Sequence, residues 1–308
     1  MANAEQLILL KQGVSQWNSW RETSSEITLD LSGVDLSKIN LCQVNLSRAN
    51  LYKANLSGAN LNCANLCEVN LTEADLSGID LGRANLSEAN LSGANLLGAY
   101  LGETDFSTTD LSNANLNRTD LSHANLNGAN LQKASLVGAE MSHINLGNTN
   151  LQDADLSRAE LGRASLNNAN LSHANLNGTR LIGANLSFTN LSEADLTGAR
   201  LNRADLSEAN LSDAKLNGAN LLGAKLNCAK LVNVDLSETN LSGANLSYAV
   251  LDSANLSGAN LSSANLSYAS FSHANLEGAD LEGATLEETN FSQATMPDGT
   301  IYAVDSES

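Results

Sequence analysis

The residues best equipped for chemistry in this chain recur at intervals of 20. His123 and His143, with Asp120 and Glu140, bring two imidazoles and two carboxylates to matched offsets. Those are donors that a divalent metal accepts. Without supporting hydrogen bonds behind them they are a solvated pair of histidines, and that reading is carried forward. A longer series surrounds them: Tyr100, Asp120, Glu140, Glu160, Arg180 and Arg200 stand 20 apart. A parallel series holds His123, His143, Arg163 and, after Gly183, Arg203. Charges that run acidic and then basic suit a protein-docking surface. Drift on a solvated face is the alternative, because exposed ion pairs contribute little. Tyr248 and Tyr268 form a third pair at the same interval. Exposed aromatics are enriched at interfaces, although an ordinary cross-strand pair has the same spacing.

Catalytic groupings are harder to find. Each of the four histidines directly follows a serine of the repeat, and none has a fixed base–nucleophile geometry on this scaffold. There is no phosphate-binding loop and no pair of cysteines two residues apart. Serine abounds, but at one repeated position. The expectation is a protein without catalytic residues, metal or cofactor. Cys42 and Cys63 fall near one another in the repeat, so a disulfide is conceivable. Two free thiols are favoured, because four irregularly spaced cysteines make no disulfide framework.

What positions all these side chains is a period of five. From Leu31 to Met296 every fifth residue is Leu, Phe or Met, which makes 54 centres. With the centre called i, position i−2 is small or apolar, i−1 is mostly Asn or Asp, and i+1 is mostly polar. A period of five fits neither a helix nor a flat strand. Residues i−2 and i point in and i−1 points out, as in a short strand. Positions i+1 and i+2 then turn a corner. Of the 16 glycines at i+2, nine lie in one series spaced by 20, from Gly58 to Gly278. Four sides therefore close one coil. The faces are numbered here by their first centres, Leu31, Leu36, Leu41 and Leu46. The charged series lies on the third face. The fourth face carries Tyr248 and Tyr268.

Units such as Ala49-Asn50-Leu51 resemble those of the pentapeptide repeat family, and the resemblance covers residues 29–296. It implies an all-β fold, a right-handed quadrilateral parallel β-helix of about 13.5 coils, roughly 65 Å long at the inter-strand spacing. Four buried leucines per coil contribute roughly 6–12 kcal/mol. Ordering 20 residues at about 1–2 kcal/mol each costs more. Hydrogen bonds between coils and repetition must supply the remainder.

The ends differ from the array. Leu7, Leu10, Val14 and Trp17 are spaced for one helical face, with Asn3 and Gln6 as a capping signal. Residues 1–26 are read as a helical cap, 27–296 as the β-helix and 297–308 as a tail. Pro297, with no N–H to donate, reads as the stop. Residues 303–308 are expected to fray. The Trp17–Arg21 stretch and the segment from Met296 to Ile301 resemble cyanobacterial members. A short apolar run without a clear cleavage site argues against a secretory signal, and no stretch is long enough to span a membrane. The cytoplasm is expected.

A net charge of −18 excludes a generic nucleic-acid binder. It permits imitation of nucleic acid. Duplex DNA of about 65 Å carries roughly 38 charges, however, more than twice this number. The leading expectation is a rigid non-enzymatic scaffold for an unidentified protein, possessing a regulatory role, as a monomer or weak dimer. The alternative is a DNA mimic that binds a type II topoisomerase (gyrase). In the family such members dimerise through a C-terminal helical module, and their rods contain a register break. This chain has neither feature.

Overall fold

The computed structural model describes residues 3–24 and 26–303. Packing groups the chain into two compact units, Met1–Asp155 and Leu156–Ser308, taken in turn below.

In the first unit the backbone amides account for the period. Consider residues 70–74. Asn70 N–H donates to Ala49 O of the coil below (2.9 Å), and Leu71 N–H to Asn90 O of the coil above (2.7 Å). Glu73 N–H reaches Ser92 O at 3.0 Å, and Ala74 N–H closes the turn on Leu71 O at 3.0 Å. The remaining amide, Thr72 N–H, donates to the Oδ1 of Asn70 at 3.1 Å. Every amide of the unit is satisfied, four by carbonyls and one by the side chain at i−1. This is why i−1 is Asn or Asp: a short side-chain acceptor reaches the amide two residues on. The asparagines also stack, as where Asn70 Nδ2 donates to Asn50 Oδ1 at 3.0 Å.

Residues 20 apart pair in parallel from Asp30↔Asn50 to Ser135↔Asp155, which makes the coil four-sided. The expected strand shrinks to a single bridged residue per side. Two of every five residues are consumed by a turn, so no longer strand can form. Each corner residue at i+2, glycine or not, has positive φ, from 51° to 70° between Gly33 and Gln293. With the hydrogen bond from i+3 to i this is a type II turn. Thr108 is the only β-branched residue at such a corner. Gly138 has φ of +64° and open space where a Cβ would stand. Gly138→Val is therefore expected to destabilise through backbone strain alone, by about 1–3 kcal/mol, and Gly138→Asn by less. Urea midpoints measure the difference.

Inside, the centres are buried, and Phe106 and Met141 substitute for Leu with no exposure. Threonines at i−2 bury their hydroxyls only with a partner, as Thr104 Oγ1 donates to Leu81 O at 2.7 Å.

The N-terminal segment is two helices, α1 (Ala4–Gln12) and α2 (Val14–Thr23), rather than one. Gly13, at φ 133°, breaks the expected continuous face. Leu10 and Trp17 are buried as expected, while Leu7 and Val14 are partly exposed. Asn3 caps α1 by accepting from Glu5 N and Gln6 N. Gln6 does not return to Asn3. Its side chain instead donates to Thr28 O and accepts from Asp30 N, both at 3.0 Å. Trp17 Nε1 donates to Asn45 O at 2.7 Å, Asn18 Oδ1 accepts from Asn45 N at 2.9 Å, and Arg21 Nη2 donates to Ser47 O at 3.2 Å. The first coil has no coil beneath it, and these side chains bond the groups that such a coil would have met.

The second unit repeats the scheme. Around Leu211, Asn210 N–H meets Thr189 O, Leu211 N–H meets Lys230 O, and Ser212 N–H meets Asn210 Oδ1 at 3.2 Å. Parallel pairs run from Glu160↔Arg180 to Asn275↔Thr295. The parallel pairs end at Thr295, two residues before Pro297. Pro297 occupies i+1, where proline suits the turn and no backbone partner needs an N–H. Its carbonyl accepts from Gly278 N of the preceding coil at 3.0 Å. An antiparallel bridge between Thr295 and Ile301 then ends the pattern, with Tyr302 against Phe291 at 6.1 Å. Of the tail expected to fray, residues 304–308 lie outside the described residues.

Candidate protein-docking faces

On the third face of the first unit, Cys42, Asn62 and Gly82 donate their amides to Asn40, Asn60 and Asp80. The pattern then fails. Tyr100 and Glu140 cannot make this turn contact, and among the described residues Gly102 N–H and Ser142 N–H have no protein acceptor. Asp120 keeps its bond, to Ser122 N at 3.0 Å. Tyr100 is 63% exposed and pairs with Asp80 and Asp120, while Asp120 pairs with Glu140. His123 and His143 stack with ring centres 5.2 Å apart and planes 5° apart. No cluster of three or more His, Cys, Asp or Glu that could hold a metal exists among the described residues. Below the histidines, Arg83 holds Glu103 at 3.2 Å, and that hydrogen bond lowers the Glu103 pKa.

In the second unit the same face is basic. Glu160 pairs with Arg180, and Arg180 with Arg200. Arg180 Nη1 bonds Glu160 Oε1 at 3.1 Å. The arginines leave Ile182 N–H and Asn202 N–H without a protein acceptor, and Glu160 leaves Gly162 N–H so, among the described residues. Arg163 and Arg203 stand at corners, each Cγ 3.8 Å from where a Cβ on Gly183 or Gly223 would stand. Sequence reasoning missed three neighbours. Ile182 and Leu222, 43% and 44% exposed, occupy the i+1 column beside the arginines. Arg158 borders the face at the other corner, its Cγ 4.0 Å from where a Cβ on Gly178 would stand. An aliphatic residue at i+1, where Ser and Asn prevail, was the available signal.

On the fourth face Tyr248 and Tyr268 stack with ring centres 4.9 Å apart and planes 7° apart. Tyr268 Oη donates to Glu287 Oε1 at 3.1 Å. That bond to a carboxylate raises the Tyr268 pKa above the ordinary tyrosine value. Glu287→Gln is expected to bring it down, as read by ultraviolet phenolate titration against a Tyr268→Phe control. Lys215, Lys225 and Lys230 lie on three different faces, and Lys225 bonds Asp205 at 3.0 Å. Cys42 and Cys63 are free thiols, as are Cys67 and Cys228.

Comparison with known proteins places these faces in context. The family model described as "Pentapeptide repeats" matches residues 30–62, 49–87, 70–107, 84–122, 204–243, 239–278 and 274–298. A second, "Pentapeptide repeat region", matches 109–186. The repeat implies the right-handed sense of the β-helix. Among solved structures the chain is similar to HetL, a pentapeptide repeat protein involved in heterocyst differentiation regulation in the cyanobacterium Nostoc sp. strain PCC 7120. Identity is 31% over 89% of this chain and 91% of that one, with a TM-score of 0.25. Rfr23 from the cyanobacterium Cyanothece 51142 is 44% identical over 30% of this chain and 63% of its own, with a TM-score of 0.29. QnrB1, a plasmid-mediated fluoroquinolone resistance protein, is 19% identical over 70% of this chain and 88% of its own, with a TM-score of 0.28. No curated protein matches the chain significantly. No helix among the described residues is long and apolar enough to cross a membrane.

Proposed function

The chain belongs to the pentapeptide repeat family, and from that premise we propose that it is a non-enzymatic scaffold that binds a protein on its third face. The observation that carries this reading is the loss of the i−1 acceptor at Tyr100 and Glu140 in the first unit, and at Glu160, Arg180 and Arg200 in the second. Each forgone bond is worth about 0.5–1.5 kcal/mol. Elsewhere a lost acceptor is sometimes replaced. Ser135 and Ser270 stand at i−1, and the amides of Val137 and Ser272 bond Asn117 and Asp252 instead. On other faces the amides of Asn217, Asn227, Val232 and Asp252, behind Lys215, Lys225, Lys230 and Val250, also lack a protein acceptor among the described residues. The third face has five such amides, and in this proposal they are left for an outside partner. HetL, named for its part in regulation, makes a regulatory scaffold the nearest reading. In this proposal the scaffold works in the cytoplasm as a monomer or weak dimer, its four-sided coils number about 13.5 at four sides each, and α1 and α2 serve as the lid of the first coil.

Net charge permits a second reading, mimicry of duplex DNA toward a type II topoisomerase. One variant separates the two. Arg180→Asn, Arg200→Asn and Arg203→Asn together are expected to abolish recovery of the partner from native extract while leaving melting unchanged. Wild-type protein is expected not to inhibit gyrase supercoiling. Inhibition that persists or strengthens in the triple variant supports mimicry and overturns the scaffold reading.

A further inference from the structure

Resting on the third-face reading above, we infer that the second unit's third face docks an acidic protein segment that also carries spaced apolar side chains. Arg158, Arg163, Arg180, Arg200 and Arg203 are five of the chain's nine arginines, and all lie on or beside this face. In a protein of net charge −18 that concentration is local and deliberate in its chemistry. Arg158, Arg163, Arg200 and Arg203 make no ion pair among the described residues, and only Arg180 is matched, by Glu160.

The backbone adds to the same polarity. Gly162, Ile182 and Asn202 offer N–H groups with no protein acceptor. Apart from Glu160 and the amides of Asn202 and Asn220, the polar side chains here only donate. Guanidinium forks and free amides suit carboxylates, which only accept. Gly183 and Gly223 keep the corner low, so an extended segment can lie beside Arg163 and Arg203. Ile182 and Leu222 stand in one column, two coils apart, with Asn202 between them. They give the segment apolar anchors that a purely charged ligand would leave exposed.

A single-stranded nucleic acid is also anionic. Its binding sites stack bases on aromatic rings, and this face has aliphatic side chains instead. The occupant is therefore a protein segment.

The test uses the full chain and a fluorescein-labelled peptide alternating Glu and Leu, with melting recorded for each variant. The peptide is expected to bind, and Arg200→Asn with Arg203→Asn to weaken binding at least about tenfold, the loss of one charge-assisted bond or more. Ile182→Ser with Leu222→Ser is expected to weaken it also. A Gln–Leu peptide that binds equally well overturns the charge argument. Equal binding by oligo-dT assigns the face to nucleic acid and overturns the proposal, as does a Glu–Leu peptide indifferent to both pairs of substitutions. Partner capture from extract is scored separately. Capture lost in the arginine variant without peptide binding rejects this inference but keeps the scaffold. Peptide binding with capture unchanged does the reverse.

Discussion

Leu181→Asp is expected to unfold the coil that carries the arginine face. Leu181 is completely buried, with Arg180 and Ile182 on either side of it in sequence. Leu181→Ala already removes packing worth about 2–5 kcal/mol. The aspartate adds a carboxylate with no partner in an interior of leucines and alanines, so a loss above about 4–5 kcal/mol is expected. In a solenoid each coil is stabilised by its own core and its nearest neighbours. Hydrogen exchange should therefore accelerate most at residues 161–201, where the inter-coil amides of Leu161, Leu181 and Leu201 lie. Unchanged protection there would contradict the account of the core. Peptide binding should vanish with the coil, which is why the surface substitutions, and not this one, test docking.

Deleting residues 1–24 is expected to have a comparable effect at the other end. It removes the acceptors and donors at Asp30, Asn45 and Ser47 and uncovers Leu29 and Leu31, which are 1% and 0% exposed. The first coil should fray and the protein aggregate, because a bare ladder edge pairs with other chains. Trp17→Ala isolates one contact. Its ring is fully buried and its Nε1 bonded at 2.7 Å, so about 3–5 kcal/mol is at stake, confined to the first coils. A truncated protein that stays monomeric with unchanged melting would reject a lid.

Much of this was legible because a strict period leaves little freedom. The 20-residue glycine series gave the four-sided coil, and the bridges at that interval carry it. The inward Leu and outward Asn followed from alternation. That the Asn and Asp at i−1 bond backbone groups near the turns was legible from their identity; which amide they meet, the one per side without a backbone acceptor, is visible only once all five are traced. Parallel pairing does end beside Pro297, but the missing N–H is not the reason, because the amide at i+1 is the one the ladder never uses. Gly13 was a break hidden inside a helical spacing, since the apolar positions stay in phase across it. On the candidate face, charges drew attention and aliphatics did not. Ile182 and Leu222 sit at a position whose exposure depends on the turn, and nothing in a hydrophobic count distinguishes them from core residues.

The most direct test of a third-face scaffold is site-specific photocross-linking in native extract. A photoreactive residue replaces Ile182 or Leu222 on the third face, or Asp213 on the first face of the same unit. The account predicts one adduct of common mass from positions 182 and 222, none from 213, and its loss when Arg200→Asn and Arg203→Asn are added. An adduct from 213 alone, or adducts indifferent to the arginine substitutions, would contradict it.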